Sequence, residues 1–190
     1  MKKKCLMFLL CAALLLSGCS LFSAGSDTGT LTIGSSLTID NTDSGRVLLS
    51  NSNALATNGL YYVSWGLGGK SPYEDGEGNT SELHDARLHL LLGEYPSSEA
   101  ALSSMNTWLD SGRAEYEVLR EEETVCNSQT YTMLIYRFRA EGGPYTNGVS
   151  LFGVCGSSAV CIELTCRDSF ADDPEAALTD FLNCCTWLAD

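Results

Sequence analysis

Basic residues are scarce in this chain: 11 Lys and Arg stand against 24 Asp and Glu in 190 residues, a formal charge of −13. So acidic a surface repels phosphate backbones, which excludes nucleic-acid tracking and leaves cations and basic partners favoured. Histidine occurs only twice, at His84 and His89. Ser-His-Asp or Cys-His catalysis would have to recruit one of those two. No long hydrophobic run is present either. The longest, residues 5–16, has 12 residues and rises only about 18 Å as a helix, short of the ~30 Å hydrocarbon core. There is no internal repeat and no cofactor fingerprint. Zinc-type ligand pairs are missing as well: Cys161 and Cys166 have no second pair at finger spacing, and Cys184 and Cys185 are adjacent.

What the chain does carry begins at its N-terminus. Lys2, Lys3 and Lys4 precede the apolar run, and the run ends in Leu16-Ser17-Gly18-Cys19. A positive segment, a short apolar one and a small-residue site are the parts of an export signal. Leu, two small residues and a Cys, directly after the apolar run, resemble the lipobox of bacterial lipoprotein precursors. That resemblance implies cleavage before Cys19, a diacylglyceryl thioether on its sulfur, and anchoring at the extracytoplasmic face of the cell membrane. Two or three acyl chains, at about 0.8 kcal/mol per buried CH2, hold a protein where one does not. Ser20 is not the Asp-type residue that the family uses for retention on an inner membrane.

Removing residues 1–18 takes three basic residues and no acidic one, leaving a net charge of −16. Residues 19–30 then form a Ser-, Gly- and Thr-rich lipidated tether with a reach of roughly 18 Å. Residues 31–190 are long enough for one domain with a real core. Of nine cysteines, Cys5 and Cys11 leave with the signal and Cys19 takes the lipid. Cys126, Cys155, Cys161, Cys166, Cys184 and Cys185 remain. An even number in an exported domain invites disulfides, although free Cys also serves as a small core hydrophobe.

Strands are expected at residues 31–40, 46–50 and 60–65, then a Gly-rich acidic loop at 66–80, then a strand at 86–92. Ser97 or Ser98 caps a helix over 98–111, with Gly112 as its stop. Four strands follow at about 115–125, 129–139, 149–155 and 159–166. The strand at 131–136 is apolar on both faces, as a centrally placed, doubly covered strand would be. Placing Cys155 opposite Val160 puts Val149 and Leu151 beside Ile162, Leu164 and Cys166. In that register Cys155 and Cys166 are too far apart to bond, so any bridge reaches Cys126 or the Cys184–Cys185 pair. A last helix starts at Asp173-Pro174 with a stripe of Leu178, Phe181, Leu182, Cys185 and Leu188. The result is an α+β class: an antiparallel sheet of about six strands layered with two helices. Over residues 84–189 this order of elements resembles the PsbP-like α/β sandwich, a fold that by itself implies no function.

Several groups merit weighing for chemistry. Gly66 to Ser71 is similar to the tail of a phosphate-binding loop, but Ser64 stands where its first glycine is required, so a plain mobile loop is expected. His84 and His89 fall on opposite faces of a strand and read as surface residues. Glu74, Asp75 and Glu77, with Asn79, gather oxygen ligands without EF-hand spacing, since Thr80 stands in the glycine position. They are at best a weak cation site. Acidic residues are too numerous for a hydrolytic carboxylate pair to be singled out. Tyr61, Tyr62, Trp65 and Tyr73 cluster around the first hairpin. Two or three of these rings belong to the core, and the remainder of Tyr61, Trp65 and Tyr73 offers a stacking surface for sugar or peptide. The expected role is a membrane-tethered, non-enzymatic domain binding an envelope protein or glycan. A hydrolase using carboxylates or His, and a structural envelope component, are the alternatives.

Overall fold

The computed structural model describes residues 29–42, 45–51, 59–140 and 142–188. Among these described residues, ten strands and two helices make an α+β layered domain. A seven-stranded antiparallel sheet runs in the order β3-β4-β5-β9-β8-β7-β6, and a three-stranded sheet in the order β1-β2-β10. In chain order they are β1 (Thr30–Ile33), β2 (Leu37–Asp40), β3 (Val47–Asn51), β4 (Leu60–Glu74), β5 (Thr80–Glu94), α1 (Ser98–Glu115), β6 (Tyr116–Cys126), β7 (Gln129–Phe138), β8 (Asn147–Cys155), β9 (Ser158–Cys166), α2 (Pro174–Asn183) and β10 (Cys185–Trp187).

The expected strand at 31–40 is a hairpin, folded at Gly34 with φ +57°. The expected loop at 66–80 is mostly sheet. β4 continues to Glu74 and β5 starts at Thr80, so only residues 75–79 turn. Glycines read as loop here because they lack β propensity. In place they serve a bulge between Leu67 and Lys70, where Gly68 has φ +73°, the left-handed step that such a bulge uses.

α1 is capped by Ser97, whose hydroxyl accepts from the Ala100 amide at 3.2 Å. It runs through Gly112, which is a packing site and not a stop: a Cβ there would touch Leu134 and Phe152 at 3.4 and 3.6 Å. β6 and β7 join through Asn127 and Ser128, both at positive φ (51° and 64°), as a two-residue hairpin turn requires. β8 and β9 join through Gly156 and Ser157, pairing Gly153 with Val160 and Cys155 with Ser158. This is two residues tighter than expected. An even shift keeps every side chain on its face, so Val149 and Leu151 still line up with Leu164 and Ile162.

β7 is covered on both faces, with Tyr131, Met133, Leu134 and Tyr136 all buried. It lies second from the edge, and the centre of the sheet is β9. The edge itself is β6, whose Glu121, Glu122 and Glu123 are exposed; charge on an edge strand discourages pairing with another chain.

One face of the large sheet packs on α2 and the small sheet. Ile33, Leu37, Ile39, Trp65, Leu88, Leu90, Leu164, Phe181 and Leu182 meet there. The opposite face packs on α1 through Ala101, Met105, Trp108 and Leu109. Asp173 caps α2 by accepting from the Glu175 amide at 3.0 Å, with Pro174 in the first turn. The helix ends at Asn183, so Cys185 belongs to β10, where it pairs with Ile39, and Leu188 lies 39 % exposed beyond it. No helix of the described residues is long and apolar enough to cross a membrane.

Phe181 packs on Trp65 with ring centroids 5.2 Å apart, and both are buried. Phe181→Ala should therefore cost about 3–5 kcal/mol in urea melts, whereas Leu188→Ala should stay within about 0.5 kcal/mol. Equal losses at the two positions would contradict this end of the core.

Candidate functional site

Of the three candidate stacking aromatics, Trp65 is one of the rings that belong to the core: it is fully buried, because β4 carries the small sheet and α2 over that face. Tyr61 is half-buried, and its hydroxyl donates to Glu94 Oε2 at 3.1 Å. Glu94 Oε1 accepts from the Ser35 amide (2.6 Å) and from the Ser35 and Ser36 hydroxyls (2.8 Å each). Partial burial would raise that carboxyl, but these donors prevail and hold it below the usual range. Tyr61 thus helps fasten the β1–β2 hairpin to the end of β5. Tyr73 lies beyond the bulge, half-buried, donating to the Gly142 carbonyl at 2.8 Å beneath the Arg167 guanidinium, 5.8 Å from its centroid.

The acidic turn is a closed unit. Asp75 Oδ1 accepts from the Glu77 and Asn79 amides at 2.9 Å each, and its other oxygen from Asn79 Nδ2 at 3.0 Å. The Asn79 side chain, then the Asn79 and Glu77 amides, hold this exposed carboxyl below its ordinary value. Glu74 and Glu77 point to solvent. No three His, Cys, Asp or Glu side chains among the described residues gather to hold a metal. Cys19 lies outside the described residues.

Both histidines are buried, at 7 % exposure each, which overturns the surface reading. β5 lies between β4 and β9, and both histidine positions of this strand are interior. His84 lies against β4 where Gly66 leaves room: a Cβ on Gly66 would sit 2.2 Å from the ring.

His89 belongs to a polar row across the sheet. Cross-strand pairing sets Ser64 opposite His89, His89 opposite Glu163, and Glu163 opposite Ser150, all on the face that carries α1. Glu163 Oε1 accepts from the Tyr136 hydroxyl, from Tyr116 at 3.0 Å and from Ser150 at 3.2 Å. Tyr116 and Tyr136 stack with centroids 3.9 Å apart. Burial, reinforced by the Glu163 charge, pushes both phenols far above their ordinary ionisation. Gly148 makes room for the Tyr136 ring, which would lie 2.3 Å from a Cβ there. The Tyr62 hydroxyl meets His89 Nδ1, and burial, aided by the Arg87 charge, lowers the imidazole to about 3.

As chemistry, the row binds a carboxylate more than it activates a nucleophile. The Ser64 hydroxyl meets Ser50 at 2.7 Å, turned to a serine and not to the imidazole. Glu163 is held as an acceptor by three hydroxyls, an anchored charge where a general base needs a free lone pair toward substrate.

A groove lies on the other face of the described residues. It has a volume of about 380 Å³ and opens between the ends of β7 and β8, β6 and the first turn of α2. Leu119, Ile135, Phe170 and Pro174 supply apolar lining; Arg137, Asp168, Asp172 and Glu175 supply charge of both signs. Its volume falls within the range of ligand pockets, roughly 300–1,000 Å³. Arg120 reaches across to Glu175, pinning β6 to α2. Asp168 Oδ1 accepts from Thr146 (2.7 Å) and Asn147 (3.0 Å), fixing the opposite wall. Leu119 falls in the bulge of β6, between Val118 and Arg120, and is 52 % exposed. Sequence reasoning missed this groove because its lining comes from four separated segments.

No family model matches the chain, and neither does any curated protein. Among solved structures it is similar to the solution structure of cyanobacterial PsbP (CyanoP) from Synechocystis sp. PCC 6803, at 16 % identity and a TM-score of 0.39, over 88 % of this chain and 99 % of that one.

His89 gives a pH test. Its folded imidazole ionises near 3 and an ordinary one near 6.5, so on acidification the unfolded chain takes the proton first. The contribution to stability is whole above pH 6.5 and is lost progressively down to about pH 3. Between pH 7 and 4.5 the wild type should lose roughly 2–3 kcal/mol more than His89→Gln does, by urea melts at each pH. Parallel losses in the two proteins would mean that the histidine is solvated.

Proposed function

We propose that the chain is an envelope lipoprotein, cleaved before Cys19, acylated on that residue, and carrying a non-enzymatic domain that binds a protein or glycan partner just outside the membrane. The observation that carries this reading is Leu16-Ser17-Gly18-Cys19 at the end of a 12-residue apolar run that follows Lys2, Lys3 and Lys4. The bilayer is then the first partner, engaged through the acyl chains. The tether leads into β1, which is an edge strand of the small sheet.

Binding is favoured over catalysis because the Ser64 hydroxyl opposite His89 turns to Ser50 and not to the imidazole, and by a groove combining apolar lining with charge. A net charge of −16 on the mature chain suits a partner of basic character. The second reading, a hydrolase, is favoured by one observation: His89 faces Glu163 directly across β5 and β9.

Growth with a labelled fatty acid should mark the wild type, and Cys19→Ala should carry no label and keep its N-terminal segment. Label that survives the substitution defeats the anchoring. In the same membranes, Leu119→Lys with Asp172→Lys should reduce cross-linking to the basic partner at least tenfold with thermal melting unchanged, because both side chains are exposed and line the groove. Undiminished cross-linking would remove the groove from the binding surface.

A further inference from the structure

We propose a disulfide site in which Cys126 bonds to one of the vicinal cysteines Cys184 and Cys185, tying the β6–β7 hairpin to the end of α2. The proposal rests on the envelope reading for its oxidising surroundings.

The geometry brings these cysteines together from segments nearly 60 residues apart. The Cys126 sulfur lies 3.7 Å from the Asn183 side-chain oxygen, and Asn183 directly precedes the pair. The next residue of the hairpin, Asn127, donates through Nδ2 to the Leu182 carbonyl at 2.9 Å and to the Cys185 carbonyl at 3.5 Å. The turn is thus docked on the segment 182–185. Positive φ at Asn127 and Ser128 fixes the direction in which that side chain approaches. Cys126 and Cys184 both pack, half-buried, against the edge of the same hydrophobic core, and Cys185 is buried within it. Cys166 lies on β9 with its sulfur against the Asn147 carbonyl at 3.8 Å, at the opposite end of the strand from the β8–β9 turn.

The half-exposed thiols act first. Cys185 is buried, and burial, with Cys184 beside it, pushes its thiol up, so it is a poor initial nucleophile. Cys126 or Cys184, as thiolate, attacks the disulfide of an envelope dithiol oxidant, forming a mixed disulfide and releasing one oxidant thiolate. The second protein thiolate attacks the protein sulfur of that mixed disulfide and releases the other. One S–S bond forms in this protein and one is lost in the oxidant. Two electrons pass to the oxidant, and the two protons from the protein thiols finish on its sulfurs. The closed loop of roughly 60 residues constrains the unfolded chain strongly.

The experiment takes the full-length protein in its own membranes, traps thiols with acid and then N-ethylmaleimide, and maps non-reduced peptides. The Cys126 peptide should be recovered joined to the peptide holding Cys184 and Cys185. Cys126→Ser should lower the Tm of the oxidised protein by roughly 10 °C and leave the Tm under reductant nearly unchanged. Linkage of Cys126 to Cys155, Cys161 or Cys166, or a Cys184–Cys185 bond, would overturn the site. A parallel arm equilibrates detergent-purified protein in a glutathione buffer. The bridge forming there but not in cells upholds the site and counts against the envelope reading; its failure in both overturns the site itself.

Discussion

Strands β5 and β9 have to be covered on both faces, and the rest of the domain is arranged around that requirement. Leu88, Leu90 and Leu92 pair directly with Leu164, Ile162 and Val160, and each of the six is at most 1 % exposed. Full burial of such side chains stabilises by roughly 1.5–3 kcal/mol each, so this patch alone matches the whole stability of a typical domain, about 5–15 kcal/mol. It cannot face water. The small sheet and α2 cover it, which is why a three-residue strand after the last helix, β10, returns to pair with β2.

The opposite face is served differently. A single helix, α1, packs across β8 and β9, and the polar row of Ser64, His89, Glu163 and Ser150 crosses the same face. A carboxylate and an imidazole at half-buried or buried positions of a central sheet are costly unless hydrogen-bonded. Here two tyrosines and a serine satisfy one oxygen of Glu163, and Tyr62 meets the imidazole. The two halves of the domain therefore have different liabilities. The α2 side rests chiefly on apolar area, whereas the α1 side also buries a hydrogen-bonded carboxylate and imidazole. The groove, on the α2 side, is bounded by the Arg120–Glu175 ion pair and by Asp168.

Much of this was legible where local signals are strong. Ser97 and Asp173 mark helix starts because a short oxygen-bearing side chain satisfies an orphan amide. Asn127-Ser128 marks a turn, and alternation in β8 and β9 places the right side chains on the right faces even with the turn two residues off. The α+β class and the antiparallel sheet follow from those elements alone. What stayed hidden depends on partners distant in sequence. Gly66, Gly68 and Gly69 look like a loop until His84 and Asp85 are seen to occupy the space their missing side chains leave. His89 looks exposed because the Leu88–Leu90–Leu92 alternation announces only one apolar face, whereas the opposite face is interior at that position too. The groove joins residues 119, 135–137, 147–149 and 166–175, a juxtaposition no single stretch encodes. Glu94 is likewise ordinary in sequence, and becomes a fastening point only because the Gly34 turn brings three donors to it.

Native-state hydrogen exchange measures directly whether the doubly covered β5–β9 pair holds the domain. Amides of Leu88, Leu90, Leu92, Val160, Ile162 and Leu164 should exchange only through global unfolding, with the same free energy as the urea melt. Amides of the edge strand β6 around Glu121–Glu123 should open locally and several kcal/mol more easily. Exchange from β5 and β9 as fast as from β6 would contradict the account, because the strands said to organise the fold would then be no more stable than its edge.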